Sequence, residues 1–199
     1  FTPPSKDQIE KNWFKFSQYI AAKEVAHSTL DAILKSVAKN NTVIVMVCNI
    51  GQAVLLANFV CHGRQHGISL DNLLVFATDE KTYQLATSLG VTSYFDKGNF
   101  GHLPEKAAGR YGDDIFTQMM YAKVLTVQMV NYLGYDVLFQ DVDMVWYKNP
   151  LELFHQKDGP LAEYDMLFQD DGSRENRFAP YGANSGFYYV RHNPRTVYL

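Results

Sequence analysis

The stretch VLFQDVDMVWYKNP, residues 137–150, places two aspartates, Asp141 and Asp143, at the close of an apolar run. On extended chain, residues two apart face the same side, so both carboxylates can address one ligand. Like charges at that spacing repel, and burial beside an apolar strand raises their pKa values unless a cation lies between them. A divalent ion removes the conflict. Hard oxygen ligands suit Mg²⁺ or Mn²⁺, which keep water or phosphate oxygens as remaining ligands, so the pair points to a phosphate-bearing substrate. The competing reading has one aspartate capping a turn and the other solvated.

Such a pair needs a sheet to hold it. In open α/β sheets ligands bind beyond the carboxyl ends of the strands, which is where the run 137–140 delivers these carboxylates. TVIVMVCN (42–49) is continuous and rich in β-branched residues, the pattern of a strand buried on both faces of a parallel sheet. A helix follows in QAVLLANFVCHGRQHG. The cycle repeats with NLLVFATDE (72–80) as strand, KTYQLATSLG (81–90) as helix and VTSYFD (91–96) as strand, which marks βαβ units.

Residues 115–134 have helical apolar spacing and a glycine stop. NPLELF (149–154) reads as a short helix begun by Asn149 with Pro150 in its first turn. YDMLFQDD (164–171) and SGFYYVRH (185–192) read as further strands. Residues 6–38 predict one or two amphipathic helices. Between residues 97 and 114, KGNFGHLPEKAAGRYGDD reads as a surface loop, and loops of that length usually carry function. The expectation is an N-terminal helical segment, 1–40, and an α/β domain, 41–199, with a mostly parallel sheet flanked by helices. Leu199 falls inside a starting helix, so the carboxyl end reads as truncated.

Composition narrows the classes of function. With 47% hydrophobic and 14% aromatic residues, 199 residues suffice for a real core. The 18 basic and 21 acidic residues give a net charge of −3 with no block of one sign, which argues against nucleic acid or membrane contact. No run is apolar enough to cross a bilayer, and the start lacks a signal-peptide pattern; an anchor upstream of Phe1 stays compatible with both. Cys48 and Cys61 have no metal-finger spacing and are expected as buried free thiols. His62, His66, His102, His155 and His192 also lack ligand spacing and read as surface or satisfied histidines. The triplet Asn40-Asn41-Thr42 permits N-glycosylation.

Two blocks carry a resemblance: YAKVLTVQMVNYLGYDVLFQDVDMVWYKNPLELF (121–154) and YGANSGFYYVRHNP (181–194), with looser agreement back to Thr42. They resemble metal-dependent glycosyltransferases of the GT-A (Rossmann-like) type, in particular the nucleotide-diphospho-sugar transferases of glycosyltransferase family 77. The resemblance implies sugar transfer from a nucleoside diphosphate sugar, a UDP-sugar, to a hydroxyl of a glycan or glycoprotein acceptor, with retention. It also implies Mn²⁺ or Mg²⁺ held by Asp141 and Asp143, and residence in the Golgi lumen or secretory pathway.

Several donor-binding candidates follow from it. Asn49 and Asp79 end strands where such proteins hold the nucleoside, although Asp79 with Thr78 equally suits a helix start. Lys123 matches a helical basic residue that reaches the donor, against the ordinary reading of a solvated lysine. Asn184, Ser185 and Gly186 resemble the element that contacts the transferred sugar, and Gly186 equally suits a strand bulge. Asp170 and Asp171 suit the sugar, the acceptor or a surface loop; Trp146 and Tyr147 suit a sugar wall or core packing. A third metal ligand and a downstream Asp-Gln element are expected past Leu199. Two other functions compete. One is a non-catalytic sugar-nucleotide-binding or scaffold domain. The other is a phosphatase with an aspartate nucleophile, which places its pair on the first strand, whereas here at least three strands precede it.

Overall fold

The structure, a computed structural model, describes residues 6–175 and 181–198. The first five residues of the 1–40 segment, and Leu199, lie outside that range. The frame begins with β1 (Thr42–Cys48), in which all seven residues are buried, as its uninterrupted apolar run requires. It pairs in parallel with β2 (Leu73–Ala77) on one side and β4 (Asp136–Gln140) on the other. β3 (Thr92–Tyr94) extends the sheet in parallel beyond β2.

On the far side, β6 (Ala183–Val190) runs antiparallel to β4, and β5 (Met166–Asp170) runs antiparallel to β6. The order is β3-β2-β1-β4-β6-β5, so β6 inserts between two strands made before it. The sheet is mostly parallel, as expected, with β6 alone reversed among the described strands.

Helices cover both faces. α1 (Lys6–Val37) is one continuous helix of 32 residues, not two. Its buried Tyr19, Ala26, Leu30, Leu34 and Val37 recur at helical spacing and join the core formed by Val43, Val45, Phe76 and Phe139. The amino-terminal helix therefore shares its core with the sheet. α5 (Asp114–Tyr132) packs on the same face through Leu125, Met129 and Val130. The other face is filled from α2 (Ala53–Gln65), α3 (Glu80–Ser88) and α6 (Leu151–Phe154), with Leu56, Phe59, Ala86, Leu151 and Phe154 against Ile44, Met46, Val75 and Leu138. The helix α6 starts one residue later than expected, with Pro150 as its N-cap, and Asn149 supports it from the turn before, its Oδ1 accepting from the Leu151 amide at 3.0 Å. A short helix, α4 (Lys97–Phe100), interrupts the expected loop, and α7 (Pro194–Tyr198) follows β6.

Two expectations change. Cys48 is buried, and burial pushes its thiol up to about 12, but Cys61 is exposed on α2. The aspartate pair does not sit on extended chain: β4 ends at Gln140, and residues 142 and 143 form a turn. Val142 is drawn into the core, which leaves Asp141 half-buried and Asp143 exposed. At the opposite end of β1, Asn40 and Asn41 take φ values of 48° and 59°, the two-residue turn for which asparagine is suited. Asn40 of the glycosylation triplet is exposed there, while Thr42 is buried with its hydroxyl 2.9 Å from His155 Nε2.

Candidate active site

The order of strands reverses at β1, because β2 and β3 lie to one side and β4 to the other. The carboxyl ends of β1 and β4 therefore form the crevice where α/β sheets bind ligands. A cavity of about 280 Å³ lies there, lined among others by Asn49, Gly51, Phe116, Met119, Lys123, Asp141 and Asp143. A larger hollow of about 530 Å³ opens before β2 and β3, around Arg64, Leu70 and Asp71, at the other end of the sheet and away from the aspartate pair.

Both aspartates line the one cavity, brought together by the turn instead of by strand alternation. Burial raises the Asp141 carboxyl above its usual range; the Lys123 ammonium opposes that rise and Asp143 adds to it. Lys123 reaches the pair from α5. Its Nζ makes an ion pair with Asp141 Oδ1 and lies 5.7 Å from the centre of the Phe139 ring. The lysine is only 16% exposed, so the solvated reading does not describe it.

β6 supplies the seat for Asp141. The Asp141 amide donates to the Gly186 carbonyl at 2.7 Å. A Cβ on Gly186 would stand 2.6 Å from Asp141 Oδ2, closer than side chains tolerate, so glycine is required by the approach of the carboxylate. The bulge reading also holds, because the β5–β6 register shifts at Phe168 and Gln169. Asn184 Oδ1 accepts from the Gly186 amide at 2.6 Å, and its Nδ2 donates to Asp171 Oδ1 at 2.9 Å. Asn184 thus fixes the bulged stretch of β6 around Gly186. Ser185 does not line this cavity but a separate apolar groove beside α5, with Val124, Gln128 and Tyr188.

The other end of the cavity rests on Asn49. Its side chain is buried, and Nδ2 donates to the carbonyls of Pro104 and Lys106, both at 2.9 Å, which holds the long loop over the end of β1. The Gly51 amide adds a bond to the Glu105 carbonyl at 3.2 Å. A Cβ on Gly51 would stand 2.2 Å from the Ala107 nitrogen, so the loop presses directly on bare backbone. Asn49 Oδ1 is buried without a partner.

Asp79 sits apart from the cavity. Its carboxylate accepts from the Thr82 amide at 2.8 Å, from the Thr82 hydroxyl and from the Ile50 amide at 2.8 Å, so it starts α3 and ties β2 to β1. Trp146 packs edge-on against Phe59 in the core, whereas Tyr147 is exposed beside His62. Asp170 is engaged by Arg174 through both oxygens, at 3.0 and 2.7 Å. Four of the five histidines named above are satisfied internally: His62 by the Trp146 carbonyl, His66 by the His62 carbonyl, His155 by Thr42 and His192 by the Asn131 carbonyl.

Sequence reasoning did not foresee the cavity wall formed by Gly51, Ala107, Phe116, Met119 and Met120. The available signal was the length of the 97–114 segment and the glycine two residues after Asn49. The donor set fits a hard divalent cation: two carboxylates from one turn, one of them crowded against a glycine that leaves it room. Among the described residues no group of three or more histidine, cysteine or acidic side chains joins them.

This combination of sheet, switch point and acidic turn defines a GT-A type nucleotide-sugar fold. The sequence model of the nucleotide-diphospho-sugar transferases matches residues 68–199, and the chain belongs to that family. It is 33% identical over 176 residues to the beta-arabinofuranosyltransferase RAY1 of Arabidopsis thaliana, covering 84% of this chain and 30% of the relative. It is 25% identical to a UDP-galactose:fucoside alpha-3-galactosyltransferase of Dictyostelium discoideum, over 80% of this chain and 28% of that protein. It is 27% identical to the UDP-D-xylose:L-fucose alpha-1,3-D-xylosyltransferase MGP4 of Arabidopsis thaliana, over 84% of this chain and 42% of that one. The chain therefore spans less than half the length of each of these relatives.

Proposed function

We propose that this chain forms the donor-binding part of a divalent-metal-dependent glycosyltransferase that moves a sugar from a UDP-sugar to a hydroxyl of a glycan or glycoprotein. One observation carries the reading: the cavity joins an acidic turn with a lysine to an uncharged, partly apolar end beneath the 104–107 loop. That polarity suits a molecule with a charged diphosphate at one end and a nucleoside at the other. The volume lies near the lower bound of about 300 Å³ for small-molecule sites, so it suits part of a nucleotide sugar, with the remainder in the open end at Asp143.

Asp141 and Asp143 would hold Mn²⁺ or Mg²⁺, which when bound neutralises charge developing on the departing diphosphate. Lys123 adds ammonium donors for the same oxygens. Gly186 keeps the Asp141 carboxylate in place, and Asn184 keeps Gly186 in place. Asn49 holds the loop that shields the nucleoside end from water.

The relatives guide the choice of substrate, since two of them are named for UDP-sugars and the three transfer arabinose, galactose or xylose. Retention follows from the resemblance of the two sequence blocks. Residence in the Golgi lumen or secretory pathway is supported by the same resemblance and by the exposed Asn40. A calorimetric titration of UDP with and without Mn²⁺, followed by a screen of UDP release from UDP-arabinofuranose, UDP-galactose and UDP-xylose, tests the reading. UDP affinity that ignores the metal would reject it.

A further inference from the structure

We propose that Lys123 is a built-in stand-in cation, which occupies Asp141 while the site is metal-free and is displaced toward the diphosphate when the metal and nucleotide enter together. The inference rests on the metal reading above and adds a mode of regulation to it.

The two oxygens of Asp141 have different neighbours. Oδ2 faces Gly186 so closely that a Cβ there would lie 2.6 Å away, and Asn184 Oδ1 crowds the same spot. Oδ1 carries the Lys123 ammonium. A dication that binds at Oδ1 takes the place of the ammonium, because two positive groups on one carboxylate oxygen repel each other. Lys123 is not lost when displaced. Its flexible four-carbon stem is anchored on α5, and the residue already lines the cavity, so the ammonium moves within the same pocket.

Local charge explains why displacement waits for the nucleotide. Two carboxylates and one ammonium leave a single negative charge at the site. A dication alone would turn that into a net positive charge in a half-buried place, which is unfavourable. The two negative charges of a sugar-diphosphate ester restore the original balance and give the ammonium new partners. Metal and nucleotide therefore each strengthen binding of the other, and the metal alone binds poorly.

The test uses Lys123→Met, with Lys123→Gln as a second variant and thermal melting of both as a check on folding. Mn²⁺ affinity without nucleotide is read from the free-ion EPR signal, and UDP affinity in saturating Mn²⁺ by calorimetry. The variants are expected to bind Mn²⁺ alone about tenfold tighter and UDP with Mn²⁺ about tenfold weaker, as removal of one nearby charge implies. Opposite signs are the signature of displacement. If both affinities fall together, the lysine only positions Asp141 and the proposal is overturned; unchanged Mn²⁺ affinity overturns it as well. If neither parent nor variants bind Mn²⁺ even with UDP present, the metal reading itself fails and takes this proposal with it.

Discussion

Gly186→Ala tests the seat of Asp141 with a single methyl group. Gly186 is absent from the residues with left-handed φ, so alanine meets no backbone strain and the effect is steric alone. The new Cβ would lie 2.6 Å from Asp141 Oδ2 and 2.9 Å from Asn184 Oδ1, roughly 0.8 and 0.5 Å short of ordinary contact. Both groups are ends of short side chains, so they can yield, and the stability cost should stay near the low end of the ~1–3 kcal/mol seen for overpacking. The carboxylate cannot yield without leaving Lys123 or the cavity. Disturbing a group that orients a metal ligand commonly costs about ten- to a hundredfold in metal affinity. Gly186→Ala should therefore lose Mn²⁺-dependent UDP binding by about that factor while melting within a few degrees of the parent. Ser185→Ala, in a separate groove, should leave binding unchanged. Parental affinity in calorimetry of the Gly186 variant would show that Asp141 is not where the cation is held.

Other expectations concern the ends of the site. Asp143→Ala should abolish metal-dependent UDP binding with a stability change of no more than about 0.5 kcal/mol, since Asp143 is exposed; a large drop in melting temperature would contradict its placement. Asn49→Ala should remove two bonds to the 104–106 carbonyls, cost about 1–3 kcal/mol and speed amide exchange across residues 102–113, which mass spectrometry would show. Asp79→Ala should destabilise the fold by about 2 kcal/mol through loss of the α3 start, measured by urea unfolding. The Asp113 carboxyl is held below its usual range, chiefly by the Phe116 amide and also by those of Arg110 and Gly109. Because its folded pKa is depressed, its contribution is present above the ordinary carboxylate value and lost as pH falls through the lowered one. The Phe116 amide resonance should shift in that acidic window, and Asp113→Asn should remove the shift.

Much of the frame was legible because local patterns and the fold agree. The apolar run of β1 could only be a strand buried on both faces, and the helix of residues 115–134 announced itself by spacing and a glycine stop. The aspartate pair was legible for a partly different reason than strand alternation supplies, because Val142 has to enter the core and so bends the chain between the two carboxylates. The place of β6 was not legible at all. Nothing in residues 183–190 encodes which strand they pair with, and that choice is made by faces that meet only in the folded sheet. The same holds for Asn49 and Gly51, whose partners lie more than fifty residues onward in a segment without periodicity. Cys61 escaped because a cysteine on an amphipathic helix can face either way.

The reversed strand also sets an order of assembly. Segments up to β4 emerge first and can stack as parallel units, but β5 has no neighbour among them and must wait for β6 to bridge it to β4. Synthesis proceeds at about 5–20 residues per second, so the backbone grip on Asp141 from Gly186 is completed seconds after the aspartate itself leaves the ribosome. A nascent chain paused before residue 183 would carry its acidic turn without the strand that anchors it. The proposed capture of sugar nucleotide therefore waits for residues 183–190 to emerge and pair with β4.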